Sequence, residues 1–550
     1  MTHHAITLGP VNKILAEARA TRELWAASYL LSYISKEIIR KLHDSGVPYD
    51  NFLIPTIPGE SATAEEKQNS ELLKMLNRGD HIKGVGLFPD RIIFKYDDTI
   101  ELEEITHKVI EELGEKIGEK IGKQASKVTQ YLLKYLQCYT LQMEIPDGEN
   151  APAIMSPYLD TLELQRNFPQ QDERYLNDFF DRVTKSFFIR DAWKKEEESF
   201  KTLLEIATIE YQKHPLVEDK LTEFADLRLR NYRTKIHWRD RKAKDDLLDT
   251  EVMETLRQHK KEIQLKQAHN YIAIVLADGD NIGSNICKLK GEQYNTFSNL
   301  INNTNAAAVD TIKEYGGMNI YAGGDDLLFF APVVNGNDNI FELLQKLDEN
   351  FKTAFKDYGT EDKKPALSFG VSITYYKFPM QEAIQSAYNL LFQKAKKEPK
   401  NNLALTLQKH SGESFEGVYS MNSESYKIFR ELMRDCLKNP NNKLSSIVFK
   451  IRENEAMFKA IWEDAKKVEN FIDNSFDEDV HKESGIENYL NTIKKLIPQV
   501  FKEVHDLADN PKDKNPKDQE AIDKADNKAL QTIYGMIRTV SFLISTEIKL

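Results

Sequence analysis

The sequence predicts an α+β multidomain protein in which two mixed units are separated and followed by helical regions. Three observations carry that expectation. Between residues 269 and 415, short apolar β-rich runs alternate with amphipathic helical stretches in the order βαββαβ, the ferredoxin-like plan. Residues 1–165 mix strand and helix signals as well, whereas 166–268 and 416–550 show helical periodicity and no periodic strand set. At 550 residues the chain exceeds one ordinary core and has room for three or four domains.

The first unit opens with the strand-like AITLGPV. A long amphipathic helix follows, ILAEARATRELWAASYLLSYISKEIIRKL, with Ile14, Ala18, Leu24, Ala27, Leu31, Ile34 and Ile38 near helical spacing. PGESATAEEKQNSE reads as a polar loop, and GVGLFPDRIIFKYDD as a strand pair around a turn at Pro89-Asp90. A charged helix, EELGEKIGEKIGKQASK, leads into VTQYLLKYLQCYTLQMEI. Region 166–268 is helical and strongly charged.

In 269–415, NYIAIVLADGD is a buried strand with an acidic end, and EQYNTFSNLINNTNAAAVDTIKEYG is a helix. MNIYAGGDDLLFFAPV is strand, turn and strand. IFELLQKLDENFKTAFKDY is a helix with Phe341, Leu344, Leu347, Phe351 and Phe355 on one face. ALSFGVSITYY is a strand, MQEAIQSAYNLLFQKAKK a helix and NLALTLQK a last strand. Beyond 415 only helices are expected. DLADNPKDKNPKDQEAIDKADNK reads there as a charged loop, and LQTIYGMIRTVSFLI as an apolar helix that must dock to bury its face.

The formal net charge of −12 argues against a dedicated duplex-DNA binder, so any nucleic-acid contact is local or shared with partner subunits. Cys138, Cys287 and Cys436 form no CxxC pair. That argues against a disulfide framework and a four-cysteine zinc site, and three buried structural thiols are expected. No apolar run has membrane-spanning length and the N-terminus lacks a secretory h-region, so a cytoplasmic protein without membrane contact is expected.

Adjacent acids between two apolar runs need a reason. In a ferredoxin-like sheet the strand ending at Asp278 lies beside the turn Gly323-Gly324-Asp325-Asp326, so Asp278 and Asp325 face each other with Asp326 beside them. Divalent cations neutralise such a group, and the chemistry that fits is two-metal phosphoryl transfer with Mg²⁺ or Mn²⁺, a 3′-hydroxyl attacking an α-phosphate. Gly323 and Gly324 allow positive φ and close approach of a phosphate; Gly279 removes a side chain beside Asp278 and Asn281 offers polar contacts. A plain hairpin turn is the competing account of each motif taken alone. Asp280 is expected to face solvent or support its loop. Ser368 is a candidate base contact or a core residue. Lys394 and Lys397, with Lys396, end a helix aimed at a triphosphate or simply solvated.

RLRNYRTKIHWRDRKAK sets Arg228, Arg230, Arg233, Arg239 and Arg241 among Tyr232 and Trp238. That composition suits RNA phosphates and bases, or a solvated helix face.

NYIAIVLADGDNIG, YAGGDDLLFF and ALSFGVSI…AIQSAYNLLFQKAKK…LQKHSG together resemble the catalytic palm of the large subunit of type III CRISPR effector complexes, a relative of GGDEF and class III cyclase domains. GPVNKILAEARATRELWAASYLLS is similar to the opening of the non-catalytic first palm of the Cmr-type (III-B) subunit. GLFPDRIIF looks like its Pro-Asn-Arg-Phe element, with Asp90 replacing the Asn. The resemblance implies two ferredoxin-like palms and assembly with other Cmr subunits and a CRISPR RNA. It further implies activation by target RNA and polymerisation of ATP into cyclic oligoadenylate second messengers for antiviral defence. Carried over, Asp278, Asp325 and Asp326 match the metal-binding acids and Gly323 and Gly324 the turn glycines. Some relatives join AMP to S-adenosylmethionine instead, and a silent RNA-binding scaffold is the other alternative. The chain starts at the first palm, and His43-Asp44 and His505-Asp506 lack further metal-ligand motifs, so no HD nuclease activity is expected. The cysteines of the zinc site found in many relatives are missing, so no zinc is expected.

Overall fold

The computed structural model describes residues 1–77, 83–165, 174–193, 200–233, 238–289, 292–360, 363–397, 399–439, 446–475, 486–508 and 519–546. Strands β1 (Thr2–Gly9), β2 (Phe52–Ile54), β3 (Arg91–Lys95) and β4 (Gln137–Glu144) form an antiparallel sheet in the order β2-β3-β1-β4. Alternation along β1 splits its side chains between two layers. Ile6 and Leu8 join the main core with the helices Thr21–Asp44 and Leu102–Ile121, while Ala5 packs with Met155 and Leu159 of the helix Ala151–Glu163.

Two local expectations change. The expected single helix is two, Val11–Ala16 and Thr21–Asp44; the second starts where the Glu23 carboxylate accepts the Arg19 N–H at 2.8 Å. GVGLF is not the hairpin partner of β3, because β2 fills that position. The segment crosses instead to the second sheet, where Gly86 bridges Tyr321 and the Ala322 N–H donates to the Gly86 carbonyl at 3.3 Å. A Cβ on Gly86 would lie 2.7 Å from the Cβ of Ser32, so only glycine passes this close to the Thr21–Asp44 helix.

The described residues between 174 and 270 are helical or in turns, including the long helices Glu218–Arg233 and Trp238–Gln258. The second sheet comprises β5 (Tyr271–Asp280), β6 (Met318–Gly323), β7 (Asp326–Pro332), β10 (Ala366–Tyr375), β11 (Asn402–Gln408) and β12 (Ser414–Ser420). A two-residue hairpin, β8 (Val334–Asn335) and β9 (Asp338–Asn339), stands apart from it. The order is β12-β11-β10-β5-β7-β6, and its four strands β10-β5-β7-β6 are the ferredoxin-like set. β11 runs parallel to β10 and β12 antiparallel to β11.

Strand β12 corrects the expectation of helices alone after 415. It is an edge strand, SFEGVYS, largely exposed and carrying a glycine, so it shows little apolar signal. The segment 519–528, expected as loop, opens the helix Gln519–Ile544, while 509–518 lie outside the described residues. That last helix docks on the second sheet: Phe542 meets the Tyr271 ring edge-on at 4.8 Å and the Gln267 N–H donates to the Ser545 carbonyl at 2.6 Å. The first unit also clamps the second through Gln381, whose amide donates to the carbonyls of Leu15 and Ala18 at 2.9 and 2.7 Å. No helix among the described residues is long and apolar enough to cross a membrane.

Candidate active site

Strands β5 and β7 are antiparallel neighbours, and their register sets Asp278 opposite Asp326. The β6–β7 turn is Gly324-Asp325, closed by the pair Gly323 and Asp326. The Asp325 carbonyl accepts the Gly279 N–H at 3.2 Å, so Asp325 sits over Gly279 rather than facing Asp278. A Cβ on Gly279 would lie 2.9 Å from the Asp325 Cβ, which is why the position beside the acids is glycine. Of the two turn glycines only Gly324 has positive φ, at 62°, and it borders open space. Gly323 is needed for another reason: a Cβ there would meet the Tyr321 ring, 2.7 Å from Cζ.

The three carboxyls crowd one another. Surrounding protein, then Asp278, pushes the Asp325 carboxyl up to about 6. Desolvation, then Asp325 and Asp278, drives Asp326 well above the usual carboxylate range. Burial, then Asp90 of the first unit and Asp326, raises the Tyr321 phenol. The sequence sets Lys394, Lys396 and Lys397 together at this helix end and favours Lys394 and Lys397 as nucleotide contacts; the structure selects Lys396. Its ammonium pairs with the Asp278 carboxylate, lies 3.0 Å from Asp280 Oδ1, and donates to the carbonyls of Asp278 and Gly279 at 3.1 and 2.9 Å. Burial alone would lower its pKa, but Asp280 and Asp278 raise it. The helix Met380–Leu390 continues into a π-helical turn, Leu391–Ala395, and this extra winding delivers Lys396 to the strand end.

Other named positions fall differently. Lys394 pairs with Glu416 on β12, and Lys397 is exposed beyond the turn. Ser368 is fully buried and donates to Asp280 at 2.6 Å, so it supports the site from below and cannot touch a base. Asp280 is 1% exposed, which removes the solvent-facing alternative. Asn281, in the left-handed region at φ 64°, donates to the Lys364 carbonyl at 3.1 Å. Beside the turn, a cavity of about 380 Å³ opens between the helices Glu292–Glu314 and Ile340–Ala354, lined by Asn303, Thr304, Asn350 and Thr353 over Leu327 and Phe351. Asn305, on its wall, donates to the Gly324 carbonyl.

Among the described residues, no group of three or more histidine, cysteine, aspartate or glutamate side chains is gathered to hold a metal as placed; the cation against Asp278 is Lys396. The donor set nevertheless fits Mg²⁺ or Mn²⁺. All its ligands are hard carboxylate oxygens, and beyond the desolvation that dominates, the neighbouring aspartates raise the Asp325 and Asp326 carboxyls, a repulsion that a divalent cation would relieve.

The basic patch divides. Arg228 is 2% exposed and held by Glu205 at 3.1 Å and Asp249 at 2.8 Å, and Arg241 is buried against Asp181. These two close a buried ion-pair cluster and do not face RNA. Tyr232 lies under the Arg22 guanidinium, 4.3 Å away, so it is also engaged. Arg230 and Arg239 are exposed, while the Arg233 side chain lies outside the described residues. His43 stacks on Tyr49 at 3.8 Å, and His505 stacks on Trp462 and bonds Asp526 at 2.8 Å. Cys287 is exposed, against the expectation of three buried thiols; Cys138 is half-buried and Cys436 buried.

Residues 4–126 match the model of the N-terminal domain of the CRISPR-associated protein Cmr2, and residues 271–404 match the second palm domain of Cas10/Cmr2. Over 201 residues the chain is 31% identical to the CRISPR system Cmr subunit Cmr2 of Pyrococcus furiosus, a match that covers 32% of this chain and 22% of that protein's length. A cryo-EM structure of the type III-B Cmr-beta complex bound to cognate target RNA contains a chain with the same fold, at 12% identity and a TM-score of 0.52, over 89% of this chain and 78% of that one. A Csm1–Csm4 cassette crystallised with AMPPNP is similar at 10% identity and a TM-score of 0.50, over 99% of this chain and 69% of that one.

Proposed function

We propose that the chain is a Cas10/Cmr2-type large subunit of a type III CRISPR complex and that its second palm is a nucleotidyltransferase that converts ATP into a second messenger. The observation that carries this reading is the meeting of Asp278 with the Gly-Gly-Asp-Asp turn across β5 and β7, beside a cavity large enough for a nucleobase. Asp278, Asp325 and Asp326 would hold two divalent cations, which supply charge neutralisation of the phosphates and activation of a 3′-hydroxyl. Gly324 leaves space for a phosphate at the turn, and Lys396 offers an ammonium to the phosphate charge. The polar rim of Asn303, Thr304, Asn350 and Thr353 would orient the base.

In this reading the subunit works inside a Cmr complex with CRISPR RNA, and target RNA switches the palm on. The product is cyclic oligoadenylate; a conjugate of AMP with S-adenosylmethionine is the alternative acceptor chemistry. A silent RNA-binding scaffold has one observation on its side, the Lys396 ammonium already seated on Asp278.

The test is reconstitution of the complex with ATP and Mg²⁺ or Mn²⁺, with and without target RNA and S-adenosylmethionine, and mass spectrometry of the products. A cyclic oligoadenylate or an AMP conjugate formed only with target RNA supports the reading and identifies the acceptor. No nucleotide product in any arm leaves the scaffold.

A further inference from the structure

We propose that Asp280 is the buried anchor of Lys396, a positioning residue that keeps this ammonium at the acid turn when divalent cations take over Asp278. The inference deepens the function proposed above and rests on it.

Asp280 stands two residues from Asp278, yet its surroundings exclude it from the metal side. Its Oδ2 accepts the Ser368 hydroxyl at 2.6 Å and the Asn401 backbone N–H at 2.8 Å. Both donors are themselves fixed. Ser368 lies in the middle of the sheet, on β10. Asn401 is locked in the left-handed region at φ 63°, and its amide donates to Asp348 at 2.9 Å and to the Leu367 carbonyl at 2.8 Å. Asp348 in turn accepts the Leu367 N–H at 2.9 Å and pairs with Lys352 at 2.6 Å. Turning Asp280 outward would strip two hydrogen bonds from a buried charge and orphan their donors. Its Oδ1 has no hydrogen-bond partner among the described residues and forms an ion pair with the Lys396 ammonium at 3.0 Å.

An ammonium has three N–H donors. Lys396 now meets Asp278, Asp280 and the carbonyls of Asp278 and Gly279. When the Asp278 carboxylate is given up, the ion pair with Asp280 and the hydrogen bonds to the two carbonyls remain. Lys396 then stays beside the phosphates without competing for Asp278. If Asp280 loses its charge, Asp278 is the carboxylate left in direct contact with the ammonium among the described residues, and Lys396 becomes a competitor of the metal.

The test is Mn²⁺ binding to the full chain, read by electron paramagnetic resonance, alongside turnover in the reconstituted complex. Asp280→Asn keeps the shape and removes the charge. Mn²⁺ affinity is expected to fall about tenfold and KM for ATP to rise. In the Lys396→Met background, Asp280→Asn should change Mn²⁺ affinity no further, because the effect runs through the ammonium. Should Asp280→Asn not fold, Ser368→Ala gives the same pattern at about threefold.

Unchanged Mn²⁺ affinity in Asp280→Asn, with or without a lower melting temperature, overturns the anchor, as does a loss that persists without Lys396. A wild-type chain that binds no Mn²⁺ and makes no product overturns the nucleotidyltransferase reading and the anchor together. A wild type that does both while Asp280→Asn matches it overturns the anchor alone.

Discussion

The first sheet pairs Thr7 with Arg91 at the register position where the second pairs Asp278 with Asp326. The two strand ends share a backbone hydrogen bond as well. The Leu8 N–H donates to the Asp90 carbonyl at 2.9 Å, as the Gly279 N–H does to Asp325 at 3.2 Å. In the first sheet the charge is closed internally: Arg91 holds Glu163 at 2.8 Å and Asp160 at 2.6 Å, and Thr7 donates to Glu163 at 2.6 Å. In the second, three crowded carboxyls share one ammonium. The same fold therefore carries a finished ion-pair cluster at one turn and, at the other, the crowded acids proposed to take up cations. The difference lies in a few side chains at two strand ends.

The largest expected effect removes the acids. Asp325→Ala/Asp326→Ala should reduce nucleotidyl transfer by roughly three orders of magnitude while the complex still assembles, checked by product mass spectrometry and size-exclusion chromatography. Unchanged turnover would erase the functional distinction between the sheets. Next is Gly279→Ala, which imports into the second sheet the side chain that Leu8 supplies in the first. The new Cβ would sit 2.6 Å from Ile282 Cγ1 and 2.9 Å from Asp325 Cβ, so the acid turn must shift. Transfer should fall about a hundredfold, at a stability cost of about 1–3 kcal/mol in a denaturant titration. A smaller effect is thermal: saturating Mn²⁺ should raise the melting temperature of the wild type by about 2–4 °C and leave the double alanine variant unmoved. An equal rise in both would place the cation elsewhere.

What the sequence disclosed about this contrast follows the range over which each feature is determined. The Asp-Gly-Asp and Gly-Gly-Asp-Asp turns are local, and the ferredoxin-like order of the strands is enough to bring them together. Lys396 was legible only as one of three lysines at a helix end, because a π-helical turn decides which of them points inward, and periodicity counted at 3.6 residues does not see it. Arg228 and Arg241 read as surface cations because a run of arginines and aromatics looks alike whether acids from other helices bury it or solvent does; Glu205, Asp249 and Asp181 come from elsewhere in the chain. Ser368 and Asp280 were legible as polar residues near a site, but their mutual hydrogen bond depends on the register of β5 against β10. Strand β12 escaped because an exposed edge needs no apolar face.

The smallest expected effect tests the other side of the comparison. Arg91→Ala removes the internal cation of the first turn and leaves Glu163 with Thr7 alone. The pairs it breaks are partly solvent-exposed, with the Asp160 and Glu163 side chains 64% and 37% accessible, so solvent compensates most of the lost attraction. Stability should fall by about 1 kcal/mol or less, measured by chemical denaturation of the full chain. Nucleotidyl transfer should stay within about twofold of wild type, because no phosphate or cation is assigned to that turn. A tenfold loss of transfer without a matching loss of stability would mean that Arg91 reaches the reacting nucleotides. The two turns would then be two halves of one site, and the contrast drawn between them would be a division of labour.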